Sequence, residues 1–360
     1  MVAKDWLFSQ LECQTQQRVE RARHNAQCMD SAGGRDLRRA SLGWKFFVLV
    51  LIGACGIYMC FARVNQRNFQ QFSSTQEVLE NSFCRTPSNL SLSDFAQHFP
   101  RPLTYQRGIC ICTPVHYFVI FSMQRSGSGW FETLLNSHPN ISSHGEIFIV
   151  KDRRQNFTTI SHTLDKLYNL DWFSSSAKNE CTAAVGLKWM LNQGAMDYHT
   201  EIAAYLRKRG ISVLFLIRRN TLRRLISILA NAYDRERPIG GTHVSHVHSK
   251  EQAKRLASYK PTVNVKYLNQ NLERYEEISN NALQAFNVTR LLVIFYEDLV
   301  KEPQKLMEVQ EFLGVPPRKL ESRQVKIHTG PLSGLITNRE EVYRALQATK
   351  FEGFLREDDP

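Results

Sequence analysis

Hydrophobic and polar positions divide the chain into four stretches of different character. Residues 1–41 are polar and carry both signs of charge, which predicts a disordered tail. Residues 42–62 are almost entirely apolar, residues 63–114 are rich in Gln, Asn, Ser and Pro, and residues 115–360 alternate between short apolar runs and helical periodicity. The pattern predicts a tail, a membrane-spanning segment, a stem and a folded domain, in that order.

Within the domain, the apolar runs predict four buried strands that alternate with helices. The strands are 115–122, 183–189, 211–217 and 291–296, and the helices are 129–137, 197–209, 221–233, 262–286, 303–313 and 336–346. Strands that alternate with helices form a parallel sheet covered by helices on both faces. The predicted fold class is therefore α/β, a three-layer fold with a central parallel sheet, in which ligands bind at the carboxyl ends of the strands.

The apolar stretch 42–62 contains 17 consecutive uncharged residues, Phe46–Ala62. Extended back to Leu42 it reaches 21 residues, about one bilayer thickness in a helix, and Lys45 can snorkel to the interface. Basic residues are more frequent before the stretch than after it, which predicts a cytosolic N-terminus and a single-pass type II signal anchor. A buried core helix is the alternative interpretation. The sequons at Asn89, Asn140, Asn156 and Asn287 all follow the stretch, as expected of a luminal domain.

Composition narrows the partners and cofactors. The formal net charge of +12 favours anionic partners such as nucleotides, acidic polysaccharides or membrane surfaces. Zinc-finger spacing, an RNP-type strand and a basic-region zipper are all absent from the sequence, so nucleic acid is not an expected partner. The histidines at 243, 246 and 248 lie in a Gly-containing stretch without an adjacent acidic residue, so no metal is expected. In an oxidising lumen up to two disulfides can form among Cys84, Cys110, Cys112 and Cys181.

A loop rich in Ser and Gly follows the first predicted strand. It reads Gln-Arg-Ser-Gly-Ser-Gly over residues 124–129 and leads into a helical pattern that begins near Trp130. A strand, a glycine loop and a helix in this order place backbone N–H groups and the positive end of the helix dipole at one point, which binds a phosphate or a similar anion. It is not a Walker A loop, because Gly129 is followed by Trp130 and not by a Lys-Ser/Thr pair.

Residues 125–130 resemble the 5′-phosphosulfate loop of the sulfotransferases that use 3′-phosphoadenosine 5′-phosphosulfate (PAPS), where a basic residue, Ser/Thr, Gly and Ser/Thr follow a strand. A second motif of that family, a strand that ends in Arg with a Ser eight residues later, is matched by 213–219 and Ser227. The resemblance covers residue 115 to the C-terminus and is nearest to the Golgi carbohydrate and nodulation-protein-like branches. It implies a P-loop-like form of the three-layer fold.

The resemblance also implies which residues would contact PAPS. Trp130 either packs in the core or lies near the adenine. Lys326 is implied as a nucleotide contact, although the family's Arg-Lys-Gly triplet is absent from this part of the sequence. The residues that would hold the 5′-phosphosulfate are Arg125, Ser126, Gly127, Ser128 and Gly129.

A further pair is implied for the 3′-phosphate of PAPS. Arg219 and Ser227 match the family's motif, and Arg218 would replace Arg219 if the strand register were shifted by one residue. Arg223 and Arg224, in the helix that follows, are interpreted as solvated side chains or as contacts to an acidic acceptor.

Glu146 is the candidate general base. In the carbohydrate and tyrosylprotein branches a Glu follows the loop helix at about this distance, and the run Ser-His-Gly-Glu at 143–146 fits that pattern. A carboxylate beside the acceptor hydroxyl can remove its proton. His144 is the rival base. The Lys-x-His motif of the cytosolic branch reads Lys-Trp-Met at 188–190, which favours Glu146 and leaves Lys188 as a stabiliser of the transferring group or an acceptor contact.

The sequence thus predicts a membrane-bound Golgi sulfotransferase with a luminal catalytic domain and no metal. It would transfer a sulfuryl group from PAPS to a hydroxyl of a carbohydrate or glycoprotein, with a glycan or polysaccharide as the first choice and a tyrosyl peptide as the second. The alternatives are a membrane-anchored glycan-binding protein with the same fold but no turnover, and a nucleotide kinase, which the missing Walker A lysine disfavours. Acceptor choice is expected to depend on loops such as 147–180 and 234–261.

Overall fold

The computed structural model describes residues 96–178, 180–238, 247, 249–287 and 290–356. The predicted tail, the predicted membrane span, the first part of the predicted stem and the three histidines at 243, 246 and 248 lie outside these ranges. Within them, no helix has both the length and the apolar character needed to cross a bilayer. The span at 42–62 therefore stays a prediction.

Five parallel strands form the central sheet, in the order β2-β3-β1-β4-β5. They are β1 (His116–Ser122), β2 (Ile141–Ser143), β3 (Ala184–Met190), β4 (Ser212–Ile217) and β5 (Leu291–Phe295). Strand β1 pairs in parallel with both β3 and β4, so it runs through the middle of the sheet. The parallel α/β fold is confirmed, and the four predicted strands are correct to within one residue at each end. The short β2 was not predicted, because three residues are too few to show a periodicity.

Helices cover the sheet and follow its strands. They are α1 (Ser128–Ser137), α2 (Phe157–Tyr168), α3 (His199–Lys208), α4 (Thr221–Glu236), α5 (Lys250–Ala257), α6 (Leu268–Phe286), α7 (Tyr296–Lys301), α8 (Lys305–Phe312) and α9 (Arg339–Leu346). Helices α2 and α5 lie in the segments that were expected to be acceptor loops. The side chain of Asn156 caps α2 by accepting a hydrogen bond from the Thr159 N–H, and the Thr159 hydroxyl oxygen accepts one from the Asn156 N–H, which fixes where α2 begins.

The core consists of two apolar layers, one on each face of the sheet. On one face, Phe121 of β1 and Trp189 of β3 pack with the buried sides of α2, α3 and α6. On the other, Phe118 and Ile120 of β1 pack with Phe131 of α1 and with α7 and α8. The side chains of β1 thus alternate between the two layers, as a central strand requires. Helices on both faces make the three-layer arrangement that the sequence predicted.

Residues 96–114, which the sequence analysis assigned to the stem, contact the domain closely. The ring of His98 stacks on Tyr117 of β1, with ring centroids 3.8 Å apart. The buried guanidinium of Arg107 donates to the backbone carbonyls of Thr113, Glu180 and Thr182. A disulfide joins Cys110 to Cys181, and Cys112 is disulfide-bonded as well. Disulfide bonding among these cysteines agrees with the sequence analysis.

Candidate active site

The loop between β1 and α1 has the backbone of an anion-binding site. Arg125 and Gly127 both have positive φ angles, 64° and 85°. Gly127 precedes the first helical residue and no side chain caps the helix. The first N–H groups of α1 therefore have no partner within the helix, and the helix dipole places partial positive charge at the same point. Ser126 and Ser128 are buried beside them and bring two hydroxyl groups.

Gly127 is needed for a steric reason as well as for its φ angle. A Cβ atom at this position would overlap the ring of Tyr296, the first residue of α7. The loop can approach Tyr296 this closely only because Gly127 has no side chain. Trp130 packs edge-on against the same ring, with centroids 5.8 Å apart, and is half-buried at the site. The loop and Trp130 thus both pack against the Tyr296 ring.

Three arginines converge on the loop. Arg125 donates from Nε to Ser227 Oγ at 2.9 Å, Arg218 donates to the Arg125 carbonyl at 3.4 Å, and Arg224 donates to the Gln124 carbonyl at 2.8 Å. Burial lowers the pKa of Arg125 to about 10, and the charge of Arg218 acts in the same direction. Burial likewise lowers the pKa of Arg224 to about 10. Positive charge is therefore concentrated against the loop at an electrostatic cost.

The expectation that Arg223 and Arg224 are solvated is wrong, because their exposed fractions are only 3% and 4%. Arg223 donates to the backbone carbonyl of Gly330 at 3.0 Å. This bond ties the late segment around Gly330 to α4. Both arginines lie on the buried side of the amphipathic helix α4. The sequence alone did not show whether arginines at these positions are buried or solvated.

The late segment brings Lys326 and His328 to the loop. The Lys326 ammonium lies 5.9 Å from the ring centroid of Tyr296. Burial, followed by the charges of Arg125, Arg218 and Lys326, lowers the pKa of His328 to about 4. His328 is therefore neutral at physiological pH. Lys326 thus lies close to the ring on which the β1–α1 loop packs, and its contact with a nucleotide stays a prediction.

Arg218 and Arg219 point to different surroundings. The Arg219 guanidinium is half-exposed, makes two hydrogen bonds to Asp298 and stacks over the Phe295 ring at 3.8 Å. The Glu297 carboxylate fixes the turn after β4 by accepting from the backbone N–H groups of Arg219 and Asn220. Arg218 thus lies on the side of this turn that faces the β1–α1 loop. This is the position that the sequence analysis gave to Arg218 for a strand register shifted by one residue.

Behind the loop, a buried lysine lies between two carboxylates. Lys188 Nζ is 3.1 Å from Glu132 Oε2 and 3.3 Å from Glu146 Oε1. Burial alone would lower the pKa of Lys188, but the charges and hydrogen bonds of the two carboxylates outweigh it and raise that pKa above its ordinary value. Lys188 is therefore an ammonium group at physiological pH. The Glu146 side chain is 27% exposed, so an acceptor can reach it.

The second oxygen of Glu146 is also fixed. Gln193 donates from Nε2 to Glu146 Oε2 at 2.8 Å. Gln193 belongs to the irregular π-type turn Leu191–Ala195 after β3, where Gly194 has a φ of 81°. The Trp189 indole donates to the Gln193 carbonyl and holds this turn in place. Glu146 is therefore oriented through both oxygens.

The rival base His144 has a different environment. Its ring Nδ1 lies 2.7 Å from Ser174 Oγ, and burial lowers its pKa to about 4. Its backbone N–H donates to the Gly186 carbonyl at 2.9 Å. His144 is thus a buried neutral side chain engaged with Ser174, while Glu146 stands beside the lysine.

A metal centre is absent from the part of the chain that the structure describes. No group of three or more His, Cys, Asp or Glu side chains comes close enough there to hold an ion.

Residues 116–330 match the family model of the sulfotransferase domain. The chain belongs to this sulfotransferase family. Nodulation protein H of Rhizobium tropici is 26% identical over 250 residues, covering 67% of this chain and 94% of the relative. Nodulation protein H of Rhizobium meliloti is 25% identical over 242 residues, covering 64% and 90%.

Two solved structures are also similar. The sulfotransferase domain from the curacin biosynthetic pathway has a TM-score of 0.31 and 18% identity, covering 61% of this chain and 82% of that one. A mouse sulfotransferase complexed with PAP has a TM-score of 0.29 and 14% identity, covering 64% and 74%. The family match makes this protein a sulfotransferase, an enzyme that transfers sulfuryl groups.

Several residues of the sulfotransferase site were not found from its sequence. Glu132 lies among apolar residues of α1. A charged residue at such a position in a buried helix was the feature of the sequence that could have identified it. Gln193 lies in an irregular turn and His328 in a bend, and neither context has a periodicity that predicts burial.

Proposed function

We propose that this sulfotransferase transfers a sulfuryl group from PAPS to a hydroxyl of a glycan or polysaccharide, with Glu146 as the general base. The observation that carries the proposal is the group of buried arginines against the β1–α1 loop. Burial and the charge of Arg218 lower the pKa values of Arg125 and Arg224. Binding of an anion with two separate phosphate groups would offset both effects, because it would bring opposite charge close to the guanidinium groups.

The residues at the loop fit the phosphosulfate end of PAPS. The N–H groups at the start of α1 and the hydroxyls of Ser126 and Ser128 can donate to its oxygens. Arg125 supplies a positive charge at the point where the leaving phosphate becomes more negative during transfer. Gly127 gives the loop the backbone conformation and the close packing on Tyr296 that direct these donors to one point.

The 3′-phosphate and the adenine fit the surroundings of Arg218. Arg125 is flanked by Ser227, which lies on α4, and by Arg218, which lies on the turn before α4. A second phosphate beside them would be held by a guanidinium and a hydroxyl. Lys326 and Trp130 both lie against the Tyr296 ring and would line the nucleotide side. We assign the phosphate-binding arginine of this motif to Arg218, because Arg219 pairs with Asp298.

The acceptor side contains the groups for proton removal. Glu146 takes the proton of the attacking hydroxyl while that oxygen forms its bond to sulfur, and the sulfur–oxygen bond to the leaving phosphate breaks with its electron pair on the phosphate. Lys188 contacts Glu146 Oε1 and adds positive charge to this side of the transferring group. No step requires a metal ion.

A sugar acceptor is supported by the surface beyond Glu146. The Arg153 guanidinium donates to the carbonyl of Ile147, the residue after Glu146, and stacks over the half-buried Trp172 ring at 4.8 Å. Aromatic rings and planar hydrogen-bonding groups are suited to saccharides, and the net charge of +12 favours an acidic chain. With the predicted span at 42–62, we place the enzyme in the Golgi membrane as a single-pass type II protein with its catalytic domain in the lumen.

Two measurements test the proposal. Calorimetry of the full-length protein with 3′,5′-diphosphoadenosine (PAP) and no Mg²⁺ should show saturable binding, and absence of binding by folded protein would overturn it. Transfer of radiolabelled sulfuryl groups from PAPS should then label chemically desulfated chondroitin and heparan chains or N-acetyllactosamine oligosaccharides. Labelling confined to a tyrosyl peptide offered in the same panel would move the acceptor to that class.

A further inference from the structure

Glu132 connects the loop helix to the proposed base through two sets of contacts. Its Oε1 accepts from the Ser143 hydroxyl at 2.7 Å and from the Gly145 N–H at 2.8 Å. Its Oε2 lies 3.1 Å from Lys188 Nζ. Gly145 directly precedes Glu146, so one carboxylate holds both the backbone beside the base and the cation that contacts the base.

A carboxylate in this place requires an explanation. Glu132 is 7% exposed and lies on the apolar side of α1, with Phe131 and Leu135 as buried neighbours. Burying a charge costs several kcal/mol unless it is paired and hydrogen-bonded. A neutral residue would fill the same space without that cost. The charge of Glu132 is therefore explained best by what it does to Lys188 and Glu146.

We propose that Glu132 is a positioning residue for sulfuryl transfer, which keeps Lys188 protonated and holds it against Glu146. The inference rests on the proposed role of Glu146 as the base. The three groups carry a net charge of −1 before the reaction, because Lys188 balances one of the two carboxylates. When Glu146 accepts the acceptor's proton, the group becomes neutral. Without Glu132 the same step would leave an unbalanced buried ammonium, so Glu132 favours proton uptake by Glu146.

The charged groups around this site are few and their directions are known. Glu132 reaches it from α1, Lys188 from β3 and Glu146 from the segment after β2. Gln193, from the turn after β3, is neutral. The remaining titratable neighbours are directed to other partners, with His144 on Ser174, Arg153 on the Ile147 carbonyl and Arg154 on the Asn192 carbonyl.

The proposal predicts the protonation of Lys188. The two carboxylates raise the pKa of Lys188 against the opposing effect of burial, with Glu132 as the larger contributor. In E132Q the opposing burial remains while this contribution is lost. Lys188 should therefore lose its proton at a lower pH in E132Q than in the wild type.

The decisive experiment follows the Lys188 Cε signal by NMR in the full-length protein labelled with ¹³C at lysine Cε. K188R assigns the signal, and E132Q is compared with E132D and S143A. The titration midpoint should fall in E132Q, and it should stay close to the wild-type value in E132D and S143A, which keep the carboxylate charge. S143A removes one hydrogen bond to Glu132 and is the matched control for a purely structural role. An unchanged midpoint in E132Q would overturn the proposal.

A kinetic measurement extends the test to turnover. With PAPS and a mixture of chemically desulfated chondroitin and heparan chains, E132Q should lower kcat, because proton uptake by Glu146 then leaves the Lys188 ammonium without a balancing charge. The alkaline limb of its pH–rate profile should move to lower pH, and the KM for PAPS should not change. A loss of kcat with the limb unmoved would mean that Glu132 only stabilises the fold.

These outcomes separate the inference from the proposed function. Full turnover by E146Q would refute the base assignment but would leave the difference in Lys188 titration between E132Q and the wild type unaffected. If E132Q does not fold, the wild-type titration still decides, because a Lys188 midpoint below its ordinary value of 10.5 contradicts the proposal.

Discussion

Arg125 and Ser227 lie 102 residues apart in the chain and are joined by a hydrogen bond of 2.9 Å from Nε to Oγ. Arg125 belongs to the loop after β1 and Ser227 to α4, which follows β4. Because β1 and β4 are neighbours in the sheet, their carboxyl ends bring the two motifs into contact. The two motifs that we propose bind the phosphates of PAPS therefore lie side by side in the fold of this sulfotransferase.

Replacement of Arg218 should weaken nucleotide binding more than replacement of Arg219. A hydrogen bond to a charged group contributes about 1.5–3 kcal/mol, so R218A should raise the Kd for PAP roughly 10- to 100-fold. R219A removes the ion pair with Asp298 on the far side of the turn and should change Kd by less than about threefold. Calorimetry of both variants gives the comparison. A larger effect for R219A would restore the assignment made from the sequence.

Removal of the proposed base should affect turnover and not nucleotide affinity. E146Q keeps the size of the side chain and its contact with Gln193 but cannot accept the proton. We expect kcat to fall about 10²- to 10⁴-fold while the Kd for PAP stays at its wild-type value. H144N, at the rival base, is the control and should keep most of its kcat. Loss of turnover in H144N with activity in E146Q would exchange the two roles.

A methyl group at Gly127 should close the nucleotide site. Gly127 has a φ of 85°, and a Cβ there would overlap the Tyr296 ring, so G127A must displace either the loop or the ring. PAP binding should fall below detection by calorimetry. Gly334 has no other atom within 4 Å of an added Cβ, which makes G334A the matched control. Wild-type affinity in G127A would show that the loop tolerates a different backbone.

Removal of Lys188 should destabilise the fold because it leaves Glu132 without its cation. Loss of one partner of a buried ion pair costs about 3–5 kcal/mol, so K188M should lower the free energy of unfolding in urea by about this amount. The double variant K188M/E132Q should recover much of the loss. The wild-type contribution should be complete below the ordinary pKa of 10.5 and disappear as pH rises through the higher folded-state value. Equal stability of K188M and wild type would contradict the pairing.

Acid should destabilise the protein through His144. Its folded-state pKa of about 4 lies below the ordinary 6.5, so the unfolded chain binds a proton first as pH falls. The associated stability is fully present above pH 6.5 and is lost between 6.5 and about 4. Urea denaturation of wild type and H144N over this range should show a steeper decline for wild type. Parallel curves would mean that His144 takes up its proton without opening the fold.

Local patterns were sufficient to predict the parallel sheet and the loop that begins the site. Strands such as 115–122 are continuous apolar runs because they are buried on both faces, and the helices between them show a 3.6-residue period. The loop at 124–129 is likewise recognisable from neighbouring residues alone, whereas Glu146 was proposed from its spacing in the family that the chain resembles. The strands, the helices and the loop depend on contacts within a short stretch of chain, so the sequence by itself determined them.

Only the tertiary structure decided which side chains meet. Arg218 faces the loop and Arg219 faces Asp298 because Glu297, about 80 residues later, fixes the turn between them. Lys188 contacts both Glu132 and Glu146, which lie on other elements of the fold, and the pattern of α1 indicates that Glu132 is buried but not what it contacts. Such contacts join residues from different elements. The periodicity within one element does not predict which elements pack together or which residue will pair with a buried charge.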